Sequence, residues 1–135
     1  MGDKKVTLFV VDDDYSVRSA LKRLLKALGF NVKTFESADD LLDSGLAQCP
    51  DVLILDVRMT GMSGLELQRT LTEKGSDIPV IFMTAYDDPG ARRTAMEAGA
   101  VAFMQKPFEE KILIDAIQRA LGRKTSHPGF RPSQL

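Results

Sequence analysis

The feature that most constrains this chain is a repeated alternation. Five short apolar runs recur along it: "KVTLFVV" (5–11), "NVKTF" (31–35), "DVLILDV" (51–57), "IPVIFMT" (78–84) and "VAFMQ" (101–105). Each is followed by a stretch with helical spacing or helical start signals. Most of the runs lack polar alternation, which suits strands covered on both faces. Strands alternating with helices predict parallel pairing through right-handed crossovers. The expectation is therefore an α/β fold, a doubly wound (βα)5 sandwich with a five-stranded parallel sheet.

The helices have readable limits. Val17, Ala20, Leu21, Leu24, Leu25 and Leu28 recur at spacings of three and four, with Arg18, Lys22, Arg23 and Lys26 on the other face. Gly29 closes that first helix. Ser37 starts a short second helix reaching about residue 44. Ser63 with Glu66 forms a capping box for a third, roughly 64–74. Pro89, just inside a start at Asp88, opens a fourth that ends near Gly99. The fifth spans 107–121, with Leu113, Ala116, Ile117, Ala120 and Leu121 inward. After Gly122 the segment "RKTSHPGFRPSQL" has turn chemistry and no periodicity. Residues 1–122 read as one domain and 123–135 as a linker or disordered tail.

Composition narrows the function. With 135 residues and 44% hydrophobic content, the chain can bury a core without staples. Its one cysteine, Cys49, allows no intrachain disulfide, and no secretory signal is seen, so the cytoplasm is expected. The apolar runs are too short to span a bilayer. "MGDKKV" lacks the hydroxyl residue that a myristoylation motif needs. A net charge of −1 gives no general attraction to nucleic acid or anionic membranes. His127 is the only histidine, so a His/Cys zinc site lacks ligands.

Open parallel sheets bind ligands beyond the carboxyl ends of their strands, where strand order reverses. The first strand ends in Asp12, Asp13 and Asp14, the third in Asp56, the fourth in Thr84 and Ala85, and the fifth in Lys106 before Pro107. Singly, each has an ordinary explanation: a helix cap, a turn residue, a strand threonine, a solvated lysine. Together they put at least three carboxylates, a hydroxyl and an ammonium in one pocket. Clustered acids need a cation, and oxygen-only ligands suit magnesium. A carboxylate between such an ion and a lysine can act as a nucleophile toward phosphorus.

These residues resemble a known family. "VVDDD", "LILDVRMTGMSGLEL", "VIFMTAY" and "GAVAFMQKPFE" are similar to the receiver domain of two-component response regulators, from about Lys5 to Leu121. The wording is nearest the nitrogen-fixation (FixJ-type) branch. The resemblance implies strand order 2-1-3-4-5, the flavodoxin-like, CheY-like arrangement. It implies Asp56 as phosphoacceptor. It implies Mg2+ held directly by Asp13, Asp56 and the main-chain carbonyl of Arg58, and through water by Asp12. Asp14 falls outside the motif's acidic pair and reads as a solvated cap. Thr84, Ala85, Lys106 and Phe103 form the phosphoryl-binding and switch group, Lys106–Pro107 is a cis peptide, and Phe103 turns inward on activation.

The implied partners are a sensor histidine kinase and a phosphorylation-dependent homodimer through the fourth helix, fifth strand and fifth helix; Ile112 and Ile114 add apolar surface beyond the core stripe of the fifth helix, which suits such a face or, equally, partial burial. Direct nucleic-acid binding by this chain and membrane contact are not implied. The output is transcription, or alternatively phosphorelay or protein–protein regulation by a stand-alone receiver. Three departures stand out. Thr60 replaces a proline common after "DVRM", Phe103 lacks the tyrosine hydroxyl often found there, and "YDDPGARR" (86–93) is unlike the usual loop.

Two other classes fit less well. An aspartyl-nucleophile phosphohydrolase of the haloacid-dehalogenase type needs an aspartate two positions after the nucleophile, where this chain has Arg58. Only self-directed phosphotransfer and autodephosphorylation are expected. A flavodoxin needs a phosphate-cradling first loop, and "DDDYS" would repel the phosphate.

Overall fold

A computed structural model of the chain describes residues 5–125. Strands and helices alternate: β1 (Thr7–Val11), α1 (Tyr15–Ala27), β2 (Asn31–Phe35), α2 (Ala38–Asp43), β3 (Val52–Asp56), α3 (Gly64–Glu73), β4 (Val80–Thr84), α4 (Pro89–Glu97), β5 (Ala102–Gln105) and α5 (Glu110–Thr125). The sheet is parallel throughout, in the order β2-β1-β3-β4-β5. Strand order therefore reverses beside β1, which pairs with β2 on one side and β3 on the other.

Successive strand side chains point to opposite faces, so each strand feeds two cores. Leu8, Val10, Ile54, Ile81 and Met83 pack with Leu21 and Leu25 of α1 and Leu113, Ala116, Ile117 and Ala120 of α5. Phe9, Val11, Leu53, Leu55 and Phe82 pack on the other side, with Leu41 of α2, Leu67 and Leu71 of α3, and Ala91 and Ala95 of α4. Both layers are apolar, which is why the inner strands read as continuous hydrophobic runs. At the sheet edge, Asn31 and Lys33 of β2 are exposed, which is why that run carries polar residues.

The start signals act as their chemistry requires. Asp14 caps α1, accepting from the Ser16 and Val17 N–H groups. Ser37 accepts from Asp40 N–H at the head of α2. Ser63 and Glu66 make the reciprocal box at α3. Asp88 caps α4 with Pro89 behind it. Past the end of α1, Gly29 has φ +100°, a conformation that suits glycine because it lacks a Cβ.

Several boundaries differ from the sequence expectation. β4 begins at Val80 rather than Ile78. α5 begins at Glu110, because the chain first turns through Pro107 and Phe108, and it continues through Gly122 to Thr125. A glycine inside a helix costs only about 1 kcal/mol, too little to end one whose preceding turns are packed. Ala20 and Leu28 of the predicted α1 stripe are exposed; Leu21 and Leu25 carry the burial. The rest of the expected tail, 126–135, lies outside the described residues. Among the described residues, no helix is long and apolar enough to cross a membrane.

Candidate functional site

The register brings the acids together. Val11 of β1 stands opposite Leu55 of β3, so the residues following β1 lie beside Asp56 at the end of β3. One carboxylate oxygen from each of Asp12, Asp13 and Asp56 lies within 4.8 Å of the others. Asp12 and Asp56 are buried, 0% and 6% exposed, whereas Asp13 is open to solvent.

Asp12 is fixed at every polar group. Its N–H donates to the Phe35 carbonyl, and its carbonyl accepts from Arg18 Nη1. Oδ1 accepts from Asp14 N–H at 2.9 Å, and Oδ2 from Lys106 Nζ at 3.0 Å. Arg18 is thus turned partly inward rather than lying wholly on the solvent face. The same ammonium of Lys106 stands 3.7 Å from Asp56 Oδ1. The main-chain N–H of Lys106 donates to the Thr84 carbonyl at 2.7 Å, tying β5 to β4 just below the pocket. The Lys106–Pro107 peptide is cis, as expected.

The electrostatics follow from this packing. Burial pushes the Asp56 carboxyl up from 3.8 to about 6; the Asp12 and Asp13 charges add to the rise, while Lys106 and the Val57 N–H oppose it. For Lys106, burial favours loss of the proton, but the hydrogen bond to Asp12 and the charges of Asp56, Asp12 and Asp14 outweigh it and raise the pKa. Three carboxylates against one ammonium leave two negative charges uncompensated, the charge of one divalent cation. The donors are all oxygen, which suits a hard ion.

Thr84 is buried at the end of β4, and its Oγ1 accepts from Tyr86 N–H at 3.2 Å. Ala85, next to it, is exposed. Phe103 is already buried, 7% exposed, with its ring 6.2 Å from that of Phe82. The Arg92 guanidinium lies over the Phe103 ring, 4.9 Å from its centroid. Arg92 is therefore more than the solvated residue that its helical position suggests.

Three further contributors are not evident from motif reading. Gly64 opens α3 against the pocket floor. A Cβ there would collide with the Asp56 carbonyl and come within 3.1 Å of the Phe82 ring. A glycine directly after a capping serine was the available signal. Arg58 Nη2 pairs with Asp88 Oδ2 at 3.0 Å, and its guanidinium stands 5.5 Å from the Tyr86 ring centroid. Thr60 donates from its N–H and its hydroxyl to Asp13 Oδ2, at 3.0 and 3.3 Å. Nothing in the local sequence announces these two long-range pairs.

Comparison with known proteins agrees with the geometry. The family model for the response regulator receiver domain matches residues 8–118. The transcriptional regulatory protein TdiR of Thauera aromatica is 45% identical over 115 residues, 85% of this chain and 51% of TdiR. Among solved structures, the response regulator StyR superposes with a TM-score of 0.85 at 45% identity, covering 97% of this chain and 66% of that one. The FixJ-N structure does so with 0.83 at 38% identity, covering 93% and 100%. The chain spans about half the length of the curated relatives it matches. Response regulators are regulators rather than catalysts. By fold, pocket and sequence match, the chain belongs to the receiver domain family, the phosphorylation-activated switches of two-component response regulators.

Proposed function

We propose that Asp56 takes a phosphoryl group from a sensor histidine kinase and that the new group repacks the surface around α4, β5 and α5. The observation that supports this most is the placement of Asp56: a buried carboxylate at a strand end, 3.7 Å from an ammonium and grouped with two more carboxylates. A carboxylate oxygen of Asp56 attacks phosphorus, the bond from phosphorus to the kinase imidazole nitrogen breaks, and its electron pair leaves with the imidazole. Lys106 is placed to meet the negative oxygens of the transferred group. Thr84 accepts a hydrogen bond through Oγ1 but keeps its own hydrogen for a phosphoryl oxygen. Movement of Thr84 then pulls on Tyr86 and the start of α4.

The donor set fits Mg2+. Asp13, Asp56 and the Arg58 carbonyl would hold it directly, and Asp12, with both oxygens already engaged, through water. When bound, the ion neutralises charge on the carboxylates and the transferring oxygens. Autodephosphorylation is slow in this reading, because Arg58 occupies the position where a hydrolase would carry an acid.

Phe103 starts from a buried position, so we assign it a place in the packed layer beneath α4 rather than an inward swing. Ala85 lines the turn after Thr84. Met96 and Ile112 are exposed on α4 and α5, and they suit a phosphorylation-dependent homodimer or a docked partner. In relatives such as TdiR the name denotes transcriptional regulation, and we infer that output here. The receiver unit would run to the end of α5 at Thr125, past the boundary at 122 read from the sequence, with a linker after it, acting in the cytoplasm without contacting nucleic acid itself. A stand-alone receiver is the alternative.

Incubation with acetyl phosphate and Mg2+, followed by intact-mass measurement, tests the assignment. A single phosphoryl adduct that needs Mg2+ and is lost in Asp56→Asn supports it. An adduct that persists in Asp56→Asn refutes the choice of residue.

A further inference from the structure

Asp13 differs from the other two acids of the pocket. Asp12 is fixed by four hydrogen bonds, and Asp56 is held by its strand and by burial. Asp13 is exposed, and an exposed carboxylate turns freely unless something holds it. Among the described residues, its only hydrogen-bond partner is Thr60, 47 positions away in the loop between β3 and α3. Both Thr60 donors converge on one oxygen, Oδ2. The other oxygen keeps its lone pairs for a cation. Groups that hydrogen-bond a metal-ligating carboxylate set its orientation, and losing one typically costs about 10–100-fold in metal affinity.

We infer that Thr60 is the positioning residue for Asp13 and thereby sets how tightly this pocket takes a divalent cation. The bond also joins the loop carrying Asp13 to the loop carrying Arg58, so it holds two cation-facing segments in register. The residue type matters. A proline at this position has neither donor, and a valine keeps the N–H while losing the hydroxyl. The inference rests on the assignment of Asp12, Asp13 and Asp56 as the cation site.

Mg2+ binding by isothermal titration calorimetry, without any phosphoryl donor, separates the two. Wild-type binding that is lost in Asp13→Asn establishes the site. No Mg2+ binding by the wild type overturns the site itself, and the Thr60 role with it. Given the site, the dissociation constant is expected to rise about 2–3-fold in Thr60→Val and about 5–10-fold in Thr60→Pro; both lie below the usual range because Asp13 is exposed. Thr60→Ser, which restores both donors, is expected to stay within about 2-fold of wild type. Unchanged affinity in both Val and Pro variants overturns the role. So does a loss in Thr60→Ser with Thr60→Val at the wild-type value, which would indicate packing by the threonine methyl that valine keeps and serine lacks. If Thr60→Pro fails to fold, the Val and Ser pair still decides.

Discussion

Arg58 and Asp88, thirty positions apart, are joined by a 3.0 Å ion pair in which Asp88 serves two partners at once. Its Oδ1 accepts the Ala91 N–H that starts α4, while Oδ2 meets Arg58. The loop after Asp56 is thereby tied to the first turn of α4. The pair is exposed, so its own contribution is about 0.2–1 kcal/mol; the cap contributes about 1 kcal/mol more. In urea unfolding, Asp88→Ala should therefore cost at least about twice what Arg58→Ala costs, with Asp88→Asn, which keeps a capping oxygen, close to Arg58→Ala. Equal losses for Asp88→Ala and Arg58→Ala would show that the cap contributes nothing.

Gly64 is there because the Asp56 carbonyl leaves no room for a Cβ. The obstacle is backbone, which yields less readily than the tip of a flexible side chain. Gly64→Ala is expected to destabilise by about 1–3 kcal/mol and to lower the yield of phosphoryl adduct, since the strain acts on Asp56 directly. An alanine variant with wild-type stability and adduct yield would contradict the close approach. Urea midpoints and intact mass read the two effects separately.

Lys106 pairs with Asp12, which is fully buried. Removing one member of a buried pair leaves the other uncompensated, at a typical cost of about 3–5 kcal/mol. Lys106 is partly exposed, so Lys106→Met should fall at or just below the lower end of that range. Added Mg2+ should restore more stability to this variant than to the wild type, because it supplies the missing positive charge. Melting curves with and without Mg2+ give the comparison, and equal gains would refute it.

Asp56 also sets a pH dependence in metal-free protein. Its folded pKa is raised to about 6 from 3.8, so between those values the native state binds more protons than the unfolded chain. Stability then falls as pH rises through that window, and the penalty is complete above about 6. A shift of this size corresponds to about 2–3 kcal/mol. Asp56→Asn should therefore stabilise the protein in EDTA near neutral pH and change it little near pH 4. A gain of the same size at both pH values would mean that the carboxylate charge is not its source.

Much of this was legible from residue types alone. Short continuous apolar runs and spacings of three and four, with Asp14, Ser37, Ser63 and Asp88 at helix starts, mark the elements to within a few residues. A doubly wound sheet then sends Asp12, Asp13, Asp56, Thr84 and Lys106 to one end. What stayed hidden are relations without local period: Thr60 with Asp13, Arg58 with Asp88, Arg92 over Phe103, and Gly64 against Asp56. Each depends on where helices, strands and loops meet after the sheet has formed. The extension of α5 past Gly122 was missed for a related reason. A glycine weakens a helix locally, whereas packing of its earlier turns decides where it stops.

The ion pair between Asp12 and Lys106 spans 94 positions, from the end of the first strand to just past the last. During synthesis the acids of β1 and β3 emerge before the ammonium that follows β5. Until β5 takes its place beside β4, Asp12 and Asp56 lack the Lys106 ammonium. A chain truncated before β5, or half-folded, thus lacks one charged member of the pocket, and under the proposed function competence to receive the signal arrives together with completion of the sheet.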